Sequence, residues 1–103
     1  MDEIQDVRKQ MAELEWWHRI DLGNGLFTPG RDQTEEKLKT LHLPGSMKGQ
    51  SVMDVGAWDG FFSFEAEKRG VKRVLALDRL AWEREARSGR PCFNFARSVL
   101  SSQ

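Results

Sequence analysis

Between Asp2 and about Trp16, the apolar residues Ile4, Val7, Met11 and Leu14 recur at three- and four-residue steps with charged residues between them. That is the period of a helix with one apolar face. Leu22-Gly23-Asn24-Gly25-Leu26 then sets turn residues between two short apolar pieces, Ile20 to Leu22 and Leu26 to Phe27, and predicts a small hairpin. Thr28-Pro29-Gly30 breaks the chain again. A second helix carries Leu38 and Leu41; Asp32 or Thr34 stands where a cap belongs, Glu35 and Glu36 suit its first turn, and Pro44-Gly45 ends it.

The stretch from Ser51 to Asp78 changes period twice. Val52, Met53 and Val55 form a short apolar run, and Gly56 to Gly60 a glycine-punctuated turn. Phe61, Phe62 and Phe64 open an amphipathic segment that Gly70 closes, and Arg73 to Asp78 is a second apolar run ending in an acid. The order is strand, tight loop, helix, strand, which a chain can satisfy only as a parallel pair with a crossover helix. Parallel strands are buried on both faces, so both runs are expected inside. After Asp78 the chain is charged up to Arg90-Pro91, then amphipathic through Phe93, Phe95, Ala96, Val99 and Leu100, predicting a last helix packed on the sheet.

Ligands of such units sit at the carboxyl ends of the strands. Gly56 and Gly60 bracket that place, where glycine lets backbone N–H groups approach a bound molecule closely. Asp78, ending the second strand beside the loop, offers a carboxylate that can accept two hydrogen bonds from a ribose diol. A dinucleotide site asks for G-x-G-x-x-G, and the loop does not spell it. The loop reads Asp54-Val55-Gly56-Ala57-Trp58-Asp59-Gly60.

That spelling resembles the D/E-x-G-x-G-x-G motif of the class I S-adenosylmethionine-dependent methyltransferases, with Trp58 in place of the middle glycine and Asp78 as the acid after the next strand. Trp16-Trp17-His18-Arg19-Ile20-Asp21-Leu22, Thr28-Pro29-Gly30, Leu43-Pro44 and the run on to Phe61-Phe62 extend the likeness. Over roughly Trp16 to Leu100 the chain is similar to the branch that includes the tRNA wobble-uridine carboxymethyltransferase-like proteins. The resemblance implies an α/β, partial Rossmann-like fold. Residues 1–50 would be an N-terminal helical and loop cover, and residues 51–103 the first part of the cofactor domain. It implies S-adenosylmethionine as cofactor, with Asp54, Gly56, Trp58, Gly60 and Asp78 as the residues that bind it, and a small-molecule or tRNA methyl acceptor. No catalytic residue is named by it. Carboxymethyl transfer would need basic residues to hold an extra carboxylate, and none are legible as such.

Since that family's domain has about seven strands and about 200 residues, the 103 residues here read as a partial chain. Both edges of a two-stranded sheet would lie open, which predicts a marginal or oligomeric protein.

Lys plus Arg and Asp plus Glu balance at 16 each, so no global basic field draws in nucleic acid. One cysteine, Cys92, and two separated histidines, His18 and His42, give no metal-ligand spacing. No apolar run approaches the ~20 residues of a membrane span and no signal-peptide core opens the chain, which predicts a cytoplasmic protein.

Several residues keep two readings. Trp16, Trp17 and His18 are either a packed aromatic joint or a cover over the strand ends; His18 as a base has no partner readable from spacing. Thr28-Pro29-Gly30 is a lid or substrate loop, or a plain connector. Asp54, an acid among apolar residues, needs partners, either backbone N–H groups of the glycine turn or the cofactor's amino-acid moiety. Asp59 is placed to cap the next helix. Trp58 either swings away from the cofactor or forms part of its wall. Trp82 would border the adenine or simply pack. Beside methyl transfer stand two alternatives, a noncatalytic nucleotide-binding or interaction module and, less favoured, a nicotinamide-dependent oxidoreductase.

Overall fold

The computed structural model describes residues 3–78 and 89–100. In chain order these form α1 (Glu3–Ala12), β1 (Asp21–Gly23), β2 (Leu26–Phe27), α2 (Thr34–Leu41), β3 (Ser51–Val55), α3 (Phe61–Lys68), β4 (Arg73–Leu77) and α4 (Gly89–Leu100). The α/β class expected from the periodicities is the class observed. Trp82 and the charged stretch around it lie outside the described residues.

α1 stops short of Trp16. The N–H groups of Glu13 and Leu14 reach back only three residues, to the carbonyls of Gln10 and Met11 at 3.2 Å, and the Trp16 indole N–H donates to the same Met11 carbonyl at 2.9 Å. A side chain that takes an end carbonyl does the work of the next helical N–H. The hairpin turns on Asn24 and Gly25, both left-handed at φ 55° and 76°, and pairs β1 with β2 antiparallel.

Neither Asp32 nor Thr34 caps α2, whose N-cap is Gln33 without a side-chain bond. The Thr34 hydroxyl donates to Asp32 at 2.9 Å and accepts the Arg19 N–H at 3.2 Å, while the other Asp32 oxygen pairs with Lys37. These groups tie α2 to the segment before the hairpin, which leaves them unavailable to the helix's first N–H groups.

β3 and β4 are parallel, in register from Ser51 opposite Arg73 to Val55 opposite Leu77. α3 packs against both, and Gly70 turns the chain back at φ 89°. Arg69 at the end of α3 holds Glu65 at 3.0 Å and donates to the carbonyls of Leu43 and Pro44, fixing the Leu-Pro turn beneath the unit.

The core is not where the strand pattern placed it. Met11, Trp16, Ile20, Leu22, Leu26, Phe61, Phe64, Cys92 and Ala96 form one buried cluster, joining residues from either side of position 50. No side chain of β3 or β4 belongs to it. On the face toward α3, Val52, Asp54, Val74 and Ala76 are half-buried. On the other face Met53, Val55, Leu75 and Leu77 are 61%, 74%, 52% and 42% exposed, so among the described residues the sheet is covered on one side only. α4 does not pack on the sheet either. It uses Phe93 against Phe64 and Phe95 against Trp16, with ring centroids 5.4 and 6.2 Å apart. A cavity of about 910 Å³ separates it from β4, lined by Phe64, Val74, Ala76, Phe93 and Leu100 among others. Among the described residues, no helix is long and apolar enough to cross a membrane.

Candidate functional site

Where β3 ends, the chain turns on alternate left-handed residues, with φ at 75° for Gly56, 54° for Trp58 and 94° for Gly60. The N–H groups of Gly56 and Ala57 both bond the Leu77 carbonyl, at 2.7 and 2.9 Å, and Gly60 N–H bonds the Ala57 carbonyl at 2.8 Å. The turn is thereby fastened to the end of β4 before α3 begins. The two glycines differ in what surrounds them. A Cβ on Gly56 would meet nothing within 4 Å, whereas one on Gly60 would lie 2.6 Å from the Phe93 ring and 2.7 Å from the Phe64 ring. Gly56 fronts open space, and Gly60 sits under aromatic packing.

Trp58 takes a conformation that costs an L-residue about 1–2 kcal/mol. Its N–H donates to Asp78 Oδ2 at 2.8 Å, and its indole packs on Trp17 with centroids 5.9 Å apart. Both contacts hold the strained backbone. The ring stays more than 4 Å from the point where a Cβ on Gly56 would stand. Asp78 faces the loop.

Asp54 finds its partner on α3 rather than in the glycine turn: the Ser63 hydroxyl donates to it at 2.8 Å. Burial pushes the Asp54 carboxyl above its ordinary range, and the charge of Asp78 adds to the push. The bonds from Ser63 and the nearby His18 ring pull the other way without cancelling it.

Asp59 is not a helix cap. The N-cap of α3 is Gly60, and no side chain caps it. Fully buried, Asp59 instead reaches the N-terminal segment: Oδ2 accepts the N–H groups of Trp17 and His18 at 2.9 and 2.8 Å, and Oδ1 lies 2.5 Å from His18 Nδ1. His18 is 8% exposed, and its ring stacks on Phe61 and meets Phe62 edge-on. Thr28 holds the same segment from below, its hydroxyl donating to the His18 carbonyl at 2.6 Å and accepting the Ile20 N–H at 2.7 Å. A Cβ on Gly30 would fall 2.2 Å from the His18 carbonyl oxygen. Thr28-Pro29-Gly30 is therefore more than a connector: it is the bed on which Trp17 and His18 lie.

Cys92 is buried in the core, its thiol donating to the Glu15 carbonyl at 2.9 Å. Burial, with the charges of Asp59 and Glu15, pushes it up to about 12.

Of the five residues expected at the cofactor, Asp54, Gly56, Trp58 and Asp78 cluster at the strand ends, and Gly60 closes the turn from within the packing. The structure adds His18 and Asp59. Their pairing spans 41 positions, and no local spacing announces it. No protein-family model, curated protein or solved structure matches this chain.

Proposed function

We propose that the chain binds S-adenosylmethionine at the turn between β3 and α3 and belongs to an enzyme that transfers its methyl group to a small-molecule or tRNA acceptor. One observation carries this reading. Positions 56, 58 and 60, where the resembled motif has its glycines, all have left-handed backbone, and the middle N–H is bonded to Asp78. Trp58 departs from the motif in side chain, yet holds a left-handed backbone of the kind glycine adopts most readily.

The residues present fit such a ligand. Open space stands in front of Gly56, as close approach of a ligand to backbone requires. Asp78, turned toward the loop by the bond it accepts from the Trp58 N–H, would take the ribose hydroxyls. Asp54 would face the amino-acid moiety. The bound cofactor supplies an activated methyl on a sulfonium, and the protein's share is chiefly to align the acceptor with it.

Calorimetric titration with S-adenosylmethionine tests the reading, with Asp78→Ala expected to weaken binding; unchanged affinity in that variant counts against it. The exposed apolar face of β3 and β4 favours a second reading, a noncatalytic nucleotide-binding or interaction module. Cofactor binding without methyl transfer to any acceptor would select that one.

A further inference from the structure

A buried aspartate that fixes one ring nitrogen of a histidine leaves the other with a defined chemistry. Three nitrogens converge on Asp59, two backbone N–H groups on Oδ2 and the imidazole Nδ1 on Oδ1. Against an ionised Asp59, which can only accept, Nδ1 carries the proton of that bond. The lone pair of the neutral ring is then on Nε2. Among the described residues nothing bonds Nε2, and no buried side-chain nitrogen or oxygen there lacks a partner. Nε2 therefore reaches solvent.

The dyad is rigid. Phe61 is stacked on the ring and Phe62 stands against its edge, while Thr28 and the Gly30 backbone pin the peptide behind it. The carboxylates near His18 are Asp59 in contact, with Asp54 and Asp32 within electrostatic reach. Asp59 stands in the turn between β3 and α3, so the imidazole it holds lies beside that turn, whose Gly56 fronts open space.

We propose that His18 is a proton acceptor for a ligand whose reacting atom carries an O–H or N–H, with Asp59 as the residue that positions it. In that step the ligand's X–H bond breaks and its electron pair stays on X. The lone pair of Nε2 forms the new N–H bond, and the imidazolium that results is balanced by the Asp59 carboxylate. This is the arrangement by which a buried carboxylate sets tautomer and orientation in histidine-based catalysis generally. Taking that ligand to be the methyl acceptor rests on the methyl-transfer reading. The protonation chemistry of the ring does not.

The test uses the full chain without cofactor, so its outcome is separate from that of the S-adenosylmethionine titration. Long-range nitrogen–proton correlation spectra of the neutral ring should show His18 with Nδ1 protonated and Nε2 bare. Diethyl pyrocarbonate should modify His18 at Nε2, with the exposed His42 as internal reference. Asp59→Asn keeps an acceptor oxygen for the two backbone N–H groups and turns its amide N–H toward Nδ1. The tautomer should then invert, and His18 modification should slow by at least about tenfold relative to His42. A wild-type ring protonated at Nε2, or an Asp59→Asn protein with unchanged tautomer and reactivity, overturns the proposal. So does a wild-type His18 that the reagent cannot reach, because a substrate could not reach it either.

Discussion

The contrast between Gly56 and Gly60 yields a pair of substitutions whose costs separate backbone from packing. Alanine at either position must hold a left-handed backbone, at φ 75° and 94°, for about 1–2 kcal/mol. At Gly56 nothing stands within 4 Å of the new methyl, and the cost ends there. At Gly60 the methyl would press on Phe93 at 2.6 Å and Phe64 at 2.7 Å, two rings already packed on each other between α3 and α4. Overpacking of that kind adds about 1–3 kcal/mol, giving about 2–5 kcal/mol in all for Gly60→Ala. In a domain of this size 1 kcal/mol moves the midpoint by about 4–8 °C, so Gly60→Ala should melt at least about 4 °C below Gly56→Ala. Thermal unfolding followed by far-ultraviolet circular dichroism measures this directly. Ligand binding should sort the opposite way, with Gly56→Ala losing S-adenosylmethionine affinity out of proportion to its stability. Equal melting of the two variants would refute the packing of α4 over the turn.

Other expectations follow from single groups. Because burial raises the Asp54 carboxyl above its ordinary 3.8, the fold favours its neutral form; that contribution is complete below the ordinary value and lost as pH rises through the folded one. Asp54→Asn, which keeps an acceptor for Ser63, should therefore be more stable than wild type in urea at about pH 7, with the gap closing toward about pH 4; a less stable variant at neutral pH contradicts the assignment. Cys92, with its thiol raised to about 12, should resist iodoacetamide in the native state and react only as urea opens the chain, and prompt native labelling would mean that α4 does not cover it. The exposed Met53, Val55, Leu75 and Leu77 face should drive self-association. Replacing Val55 and Leu75 by threonine should lower the sedimentation coefficient at high concentration, and an unchanged concentration dependence would argue against this face as the contact.

What the sequence disclosed was local. The Asn24-Gly25 turn, the limits of α3 and β4, and the acid after β4 could be read because each depends on neighbours in the chain: a left-handed turn pair, a helix-stopping glycine, an apolar run. The errors lie where a polar side chain had distant suitors. Asp59 looked like a cap because it precedes a helix, but at its depth it must be paired, and the Trp17 and His18 donors that satisfy it are far off in sequence. Thr34 is drawn to the same N-terminal segment by the Arg19 N–H, while Asp32 is taken up by Lys37 and Thr34 of α2 itself. The exposure of β3 and β4 has a different reason: an apolar run states what a strand prefers against its faces, and among the described residues only one face has a cover.

The placement of the core bears on how the site is held. The strand ends carry Asp54 and Asp78, yet β3 and β4 contribute no fully buried side chain, so the sheet cannot by itself fix the turn. Rigidity comes from outside it. Asp59 stands in the middle of the turn and is bonded to Trp17 and His18, while Trp16, Ile20 and Leu22 from that same N-terminal segment are sunk in the cluster with Phe61, Phe64 and Ala96. A change to the exposed face of the sheet should therefore leave the turn's geometry intact. Loss of the Asp59 carboxylate without a replacement acceptor leaves the buried His18 N–H unpaired, at about 1–3 kcal/mol, and frees the turn and its N-terminal cover together. The segment that looked like an accessory lid is in physical terms the frame of the site, and the two strands that look like its scaffold are carried by it.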